Sequence, residues 1–375
     1  MCVSFMRKSA GSEKKKSGDS MKKNILVVDD SALMRRVICD IINSDHNFQA
    51  TDYCRDGLEA YERLKEKSYD FVVLDINMPR MNGLQLLECL QKENIRAKVI
   101  VVSSLGSGDE NVTIHAMERG ALDFVAKPGN IKEAKSDEFR KRLLSVLNAV
   151  SRGSAVPAAR IKKADAVHIK APIKRMKVSG TGNRLIALAC STGGPKALQS
   201  VIPYLPANLD APMVLIQHMP AGFTESMAQR LDEMSQVTVT EARDGDRLEK
   251  GHVYIAPGGK HMLVLRGADG MHRIVLDAAT PAIKGLKPCA NITYESLTGT
   301  GYDEIICVVL TGMGSDGTEG ICTLANSKPV HVIAQDEKTC VVYGMPKSIA
   351  DTGLVDEVVP LQEVAKTITK IAGVK

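Results

Sequence analysis

No uninterrupted apolar stretch approaches the ~20 residues that a membrane-spanning helix needs, and residues 1–20 carry lysines where a secretory leader would have its apolar core. A cytoplasmic protein without membrane insertion is expected. The nine cysteines never form a C-x-x-C pair, and Cys39, Cys89 and Cys307 fall inside apolar patterns where a thiol is a small hydrophobe. Neither a disulfide framework nor a zinc site is expected. There is no internal repeat and no helix-turn-helix pattern. The formal charge of +5 is concentrated, because residues 151–184 hold nine Lys/Arg against one acid, Asp165, and leave the remainder net negative. That distribution excludes a generally basic, nucleic-acid-coating surface. A monomer that binds no nucleic acid is expected.

What is present divides into two halves, as 375 residues exceed one ordinary core. From 24 to about 150, short apolar runs at 25–28, 71–74, 99–102 and 124–125 alternate with amphipathic helical patterns, the signature of a parallel sheet covered on both faces. Residues 150–183 are rich in Ala, Pro and Lys without apolar periodicity and read as a basic linker. The alternation resumes at Leu185, with strands expected at 185–189, 213–217, 305–310 and 330–334 and a β-rich insertion between 237 and 276. The expected fold is therefore α/β, with two doubly wound parallel-sheet domains: a flavodoxin-like one at 24–149 and a larger Rossmann-like one at 184–375. Residues 1–23 are expected to be a disordered extension.

In an open parallel sheet, ligands gather beyond the carboxyl ends of the strands. Asp29 and Asp30, Asp75, Ser103 and Lys127 each follow an apolar run of the first half. Singly, such acids read as helix N-caps or solvated turns. Together they suit an octahedral Mg²⁺ held by carboxylates, with a lysine and a hydroxyl for the other oxygens of a phosphoryl group.

The second half places Ser191 after the run 185–190 and before Thr192-Gly193-Gly194-Pro195. The glycines allow close approach to backbone N–H groups at a helix start, which suits a developing oxyanion. His218 follows a second buried-looking run, and Asp316 lies in the glycine-rich segment after a third. A serine, a histidine and an acid at three strand ends match a nucleophile, its general base and the group that fixes the base's tautomer, so the implied chemistry is acyl transfer to water. The turn is not G-x-S-x-G, which disfavours the α/β-hydrolases.

The motifs V-D-D-S at 28–31, L-D-I-N-M-P-R-M-N-G at 74–83, V-S-S at 102–104 and A-K-P at 126–128 resemble the response-regulator receiver family. That resemblance implies Asp75 as phospho-acceptor, Asp29, Asp30, Asp75 and the Asn77 backbone carbonyl around Mg²⁺, Ser103 and Lys127 on the phosphoryl group, and Phe124 as the switching aromatic. In the second half, S-T-G-G-P at 191–195, Q-H-M-P-A-G-F-T at 217–224, V-Y-I-A-P-G-G-K-H-M at 253–262, L-T-G-M-G-S-D-G at 310–317 and C-V-V-Y-G-M-P at 340–346 resemble the chemotaxis protein-glutamate methylesterases. This implies Ser191, His218 and Asp316 as the catalytic residues, with the N–H groups of Thr192 and Met313 as oxyanion donors and no cofactor for the esterase. It further implies methylated glutamates on chemoreceptor cytoplasmic helices as substrate, receptor glutamines as a second one, a histidine kinase as phosphodonor, and a receiver that obstructs the cleft until phosphorylated. Two segments depart from the family pattern: Ala189-Cys190 stands where Gly-Ala is common, and K-P-C-A-N-I-T at 287–293 replaces an Arg/His-Pro-Ser-Val-Asp segment. The rival readings are a receiver-regulated adaptor without turnover, an esterase of a non-chemotaxis array, and Cys190 as nucleophile.

Overall fold

A computed structural model describes residues 22–104, 109–128, 137–152 and 182–374. The extension at 1–21 and most of the basic linker lie outside the described residues.

In the first half, apolar runs form β1 (Lys23–Val28), β3 (Phe71–Asp75), β4 (Val99–Ser103) and β5 (Asp123–Ala126), which are almost wholly buried. β2 (Phe48–Cys54), which carries Gln49, Asp52 and Tyr53 between its buried ends, completes an all-parallel sheet in the order β2-β1-β3-β4-β5. This is the flavodoxin-like order. The helices are α1 (Ala32–Asn43), α2 (Gly57–Glu66), α3 (Gly83–Lys92), α4 (Asp109–Glu118) and α5 (Asp137–Arg152). Their starts are written locally: Ser31 caps α1 through the Met34 N–H, and Asn82 with Gln85 forms a capping box on α3.

The second half builds a seven-stranded parallel sheet in the order β14-β13-β12-β6-β7-β9-β8. Its strands are β6 (Arg184–Cys190), β7 (Met213–Gln217), β8 (Thr238–Glu241), β9 (His252–Ile255), β12 (Glu304–Val309), β13 (Val330–Gln335) and β14 (Glu357–Val359). Much of the expected β-rich insertion thus belongs to the main sheet. Only β10 (His261–Arg266) and β11 (His272–Asp277) form a separate antiparallel pair. Helices α6 (Gly194–Gln199), α7 (Phe223–Met234), α8 (Ala290–Ser296), α9 (Thr318–Ala325), α10 (Met345–Ala350) and α11 (Val364–Ala372) cover the sheet. The strand order reverses direction between β6 and β12, so the crevice beyond their carboxyl ends is the natural ligand site of the fold. Among the described residues, no helix is long and apolar enough to cross a membrane.

The two halves share apolar packing. Phe124 of β5 stacks on Phe223 of α7 with ring centroids 4.5 Å apart, and Val342 joins Phe139, Leu143 and Val146 of α5 in one buried cluster. Arg230 of α7 pairs with Glu118 of α4.

Candidate active site and acidic pocket

β6 and β7 run in register with Cys190 opposite Gln217, so the next residues, Ser191 and His218, leave adjacent strand ends together. β12, the other neighbour of β6, continues into Thr311-Gly312-Met313, and the Thr311 carbonyl accepts from the Ser191 N–H at 3.0 Å. Gly312 is required by proximity: a Cβ there would lie 2.3 Å from Met345 Sδ and 2.9 Å from Ser191 Cβ. Gly193 turns the chain after the serine with φ of 78°. Among the described residues, the backbone N–H groups of Thr192 and Met313 have no hydrogen-bond partner.

His218 Nε2 is 2.8 Å from Asp316 Oδ2. A carboxylate accepts, so Nε2 carries the proton of that contact, and in the neutral tautomer Nδ1 is the nitrogen with the free lone pair. Asp316 is clamped on both oxygens. Oδ2 also accepts from the Ala290 N–H at 2.6 Å, and Oδ1 accepts from the Asn291 N–H and the Cys289 thiol, each at 3.1 Å. Burial alone would raise its pKa, yet His218 and these donors bring it down to about 2. Asn291 adds a further tie, its Oδ1 accepting from the N–H groups of Gly317 and Gly320. Residues 289–291 belong to the departing segment 287–293. Its grip on Asp316 is not visible in the motifs, because the two segments lie more than twenty residues apart in sequence.

Cys190 is fully buried, burial pushes its thiol far up, and Sγ donates to Gln217 Oε1 at 3.0 Å. A thiol so held is a poor nucleophile, which favours Ser191 over it.

In the first half, Asp29, Asp30 and Asp75 bring carboxylate oxygens within 4.8 Å of one another. Lys127 Nζ bridges Asp29 Oδ2 at 2.8 Å and Asp75 Oδ2 at 2.6 Å. Burial pushes Asp75 up to about 6 despite the lysine. Arg35 donates to the backbone carbonyls of Asp29 and Asp30 at 2.7 and 3.0 Å, which leaves Lys127 as the ammonium shared by the carboxylates of Asp29 and Asp75. Such an all-oxygen set with unbalanced charge fits a hard divalent ion. Ser103 is buried and accepts from Thr113 Oγ1 at 2.9 Å, and Phe124 points to the other half of the chain.

The first half packs against residues next to the serine and along its strand-end crevice. Asp123 lies buried beside Thr192, and Ser145 Oγ contacts Met313 Sδ at 3.3 Å. Ser191, His218 and Asp316 are only 5%, 8% and 7% exposed.

An acidic pocket on one parallel sheet, packed against a second sheet that carries Ser191, His218 and Asp316 beyond its strand ends, is the arrangement expected of a receiver-coupled hydrolase. Residues 186–368 match the CheB methylesterase family and residues 25–136 the response regulator receiver domain. A protein-glutamate methylesterase/protein-glutamine glutaminase 1 of Syntrophomonas wolfei is 39% identical over 356 residues, covering 92% of this chain and 98% of that one. The protein-glutamate methylesterase/protein-glutamine glutaminase of Bacillus subtilis is 37% identical over 350 residues, 92% and 97% of the two chains. The catalytic domain of Thermotoga maritima CheB aligns over 51% of this chain and 100% of its own, at 39% identity and a TM-score of 0.48. The chain belongs to the CheB methylesterase family, with a receiver domain at its N-terminal side.

Proposed function

We propose that the chain is a phosphorylation-activated protein-glutamate methylesterase of the cytoplasm that hydrolyses glutamate methyl esters on chemoreceptor helices and deamidates receptor glutamines. The observation that carries it is the 2.8 Å contact from His218 to Asp316, with His218 and Ser191 leaving paired strands side by side. Ser191 Oγ attacks the ester carbonyl and passes its proton to His218 Nδ1, while Asp316 steadies the imidazolium. The N–H groups of Thr192 and Met313 receive the tetrahedral oxyanion. Collapse expels methoxide, which takes the proton from His218 and leaves as methanol. Water, deprotonated by the same nitrogen, then releases glutamate and restores the serine. With glutamine the leaving group is ammonia.

Residues 24–149 act as the receiver. Asp75 accepts a phosphoryl group from a histidine kinase, and Asp29, Asp30, Asp75 and the Asn77 carbonyl would hold Mg²⁺, which would supply charge neutralisation at that pocket. Ser103 and Lys127 contact the phosphoryl oxygens, and Phe124 carries the change toward α7. The unphosphorylated receiver obstructs the cleft, a reading supported by the contacts of Asp123 and Ser145 with Thr192 and Met313.

Methanol release from methylated chemoreceptor is the test. Ser191→Ala is expected to abolish turnover without unfolding the protein, and His218→Ala to cost a comparable factor with little further loss in the double variant. Activity of Ser191→Ala within about tenfold of the unmodified protein would remove the serine from its role.

A further inference from the structure

We propose that Gln217 is a positioning residue that fixes the separation of Ser191 and His218, and that the Cys190 thiol sets the direction of its amide. The inference rests on Ser191 and His218 being the nucleophile and base. Regular pairing of β6 with β7 ends at the contact from His218 N to Cys190 O, 3.3 Å long. Beyond it Ser191 turns into α6 while His218 heads toward α7 by way of residues 219–222. Among the described residues, no hydrogen bond joins the two side chains.

One buried amide spans the gap. Gln217 Nε2 donates to the backbone carbonyl of Ser191 at 3.1 Å and to that of His218 at 3.3 Å. Both amide protons are thereby used, one on each residue. The reverse orientation would aim Oε1 at two carbonyl oxygens, so those carbonyls select one orientation. Cys190 supports it from the other side. Its Cα is paired with that of Gln217 across the ladder, which puts the two side chains on one face of the sheet, and Sγ donates to Oε1 at 3.0 Å. Burial keeps that thiol protonated, hence a donor. Gly194 makes the space: a Cβ there would fall 1.9 Å from Gln217 Oε1, although the backbone at 194 is not left-handed. The glycine is thus explained by the amide rather than by its own conformation.

Full-length protein with Mg²⁺ and a small phosphodonor provides the experiment, read by methanol release from methylated chemoreceptor and by the rate at which a fluorophosphonate labels Ser191. Gln217→Met and Gln217→Glu are expected to lower kcat and the labelling rate by roughly ten- to hundredfold, with KM within about twofold, because two buried carbonyls lose one shared donor. Gly194→Ala is expected to act in the same way and to add little to Gln217→Met. Cys190→Ala is expected to lose roughly two- to tenfold, and Cys190→Ser, which restores a donor, to recover most of it. A folded Gln217→Met with kcat within about twofold of the unmodified protein, or a loss confined to KM with labelling unchanged, overturns the proposal. Where the Gln217 variants do not fold, the thiol pair decides, and equal rates for Cys190→Ala and Cys190→Ser overturn it. Ser191→Ala serves as the reference. If it retains turnover the nucleophile assignment itself fails, whereas a dead Ser191→Ala beside an unaffected Gln217→Met sinks only the role of the amide.

Discussion

Asp316 illustrates how a single side chain depends on groups that its own motif does not contain. Each of its oxygens faces two donors: His218 and the Ala290 N–H at one, Cys289 and the Asn291 N–H at the other. Asp316→Asn therefore turns an NH₂ group against two donors whichever way the amide lies. A loss of turnover on the order of 10³-fold is expected, with a lower melting temperature. A variant that melts like the unmodified protein and loses less than about tenfold would mean that the clamp is dispensable. The pKa falls from 3.8 to about 2 on folding, so the contribution of Asp316 is complete above the unfolded value and is lost as pH drops through the folded one. Stability between about pH 4 and pH 2 should consequently fall less steeply in Asp316→Asn than in the unmodified protein, as acid melting curves would read. The acid itself was legible because it follows an apolar run inside a glycine-rich motif. Its partners at 289–291 were not, since contacts between distant segments leave no local periodicity.

At the level of elements, the central strands were readable and the peripheral ones less so. β1, β3, β4, β6, β7 and β12 are buried on both faces and appear as unbroken apolar runs. β2 and β14, at sheet edges, carry polar residues and lack that signal, while β8 and β9 have only four residues each. The turns between strands and helices hold the site, and there the glycines matter individually. Gly312→Ala should drive Ser191 and Met345 apart, and displacement of a nucleophile by about 1 Å costs on the order of 10²-fold in rate. Gly299→Ala is the control, because a Cβ at that exposed position meets nothing within 4 Å. Equal activity of the two variants would show that the approach of Gly312 to Ser191 has no catalytic consequence.

Across the whole molecule, the receiver and the catalytic half meet through β5, α4 and α5 on one side and α7, Thr192, Met313 and Val342 on the other. Residues 184–375 alone should release methanol faster than the unphosphorylated full chain. Couplings of this kind are typically about 1–3 kcal/mol, so activation of roughly 5- to 150-fold is the expected scale. Asp75→Asn should leave the basal rate and abolish the response to phosphodonor. An isolated catalytic half no faster than the intact chain would require the receiver to act by recruitment or by positive coupling instead. The stacking of Phe124 on Phe223 carries a consequence for other partners. A receiver surface engaged inside its own chain is unavailable outside it, so any third molecule that seeks that surface competes with the esterase's closed form. By mass action, its capture of the open form would release the enzyme without a phosphoryl group, and the enzyme's rate would then report the concentration of that competitor.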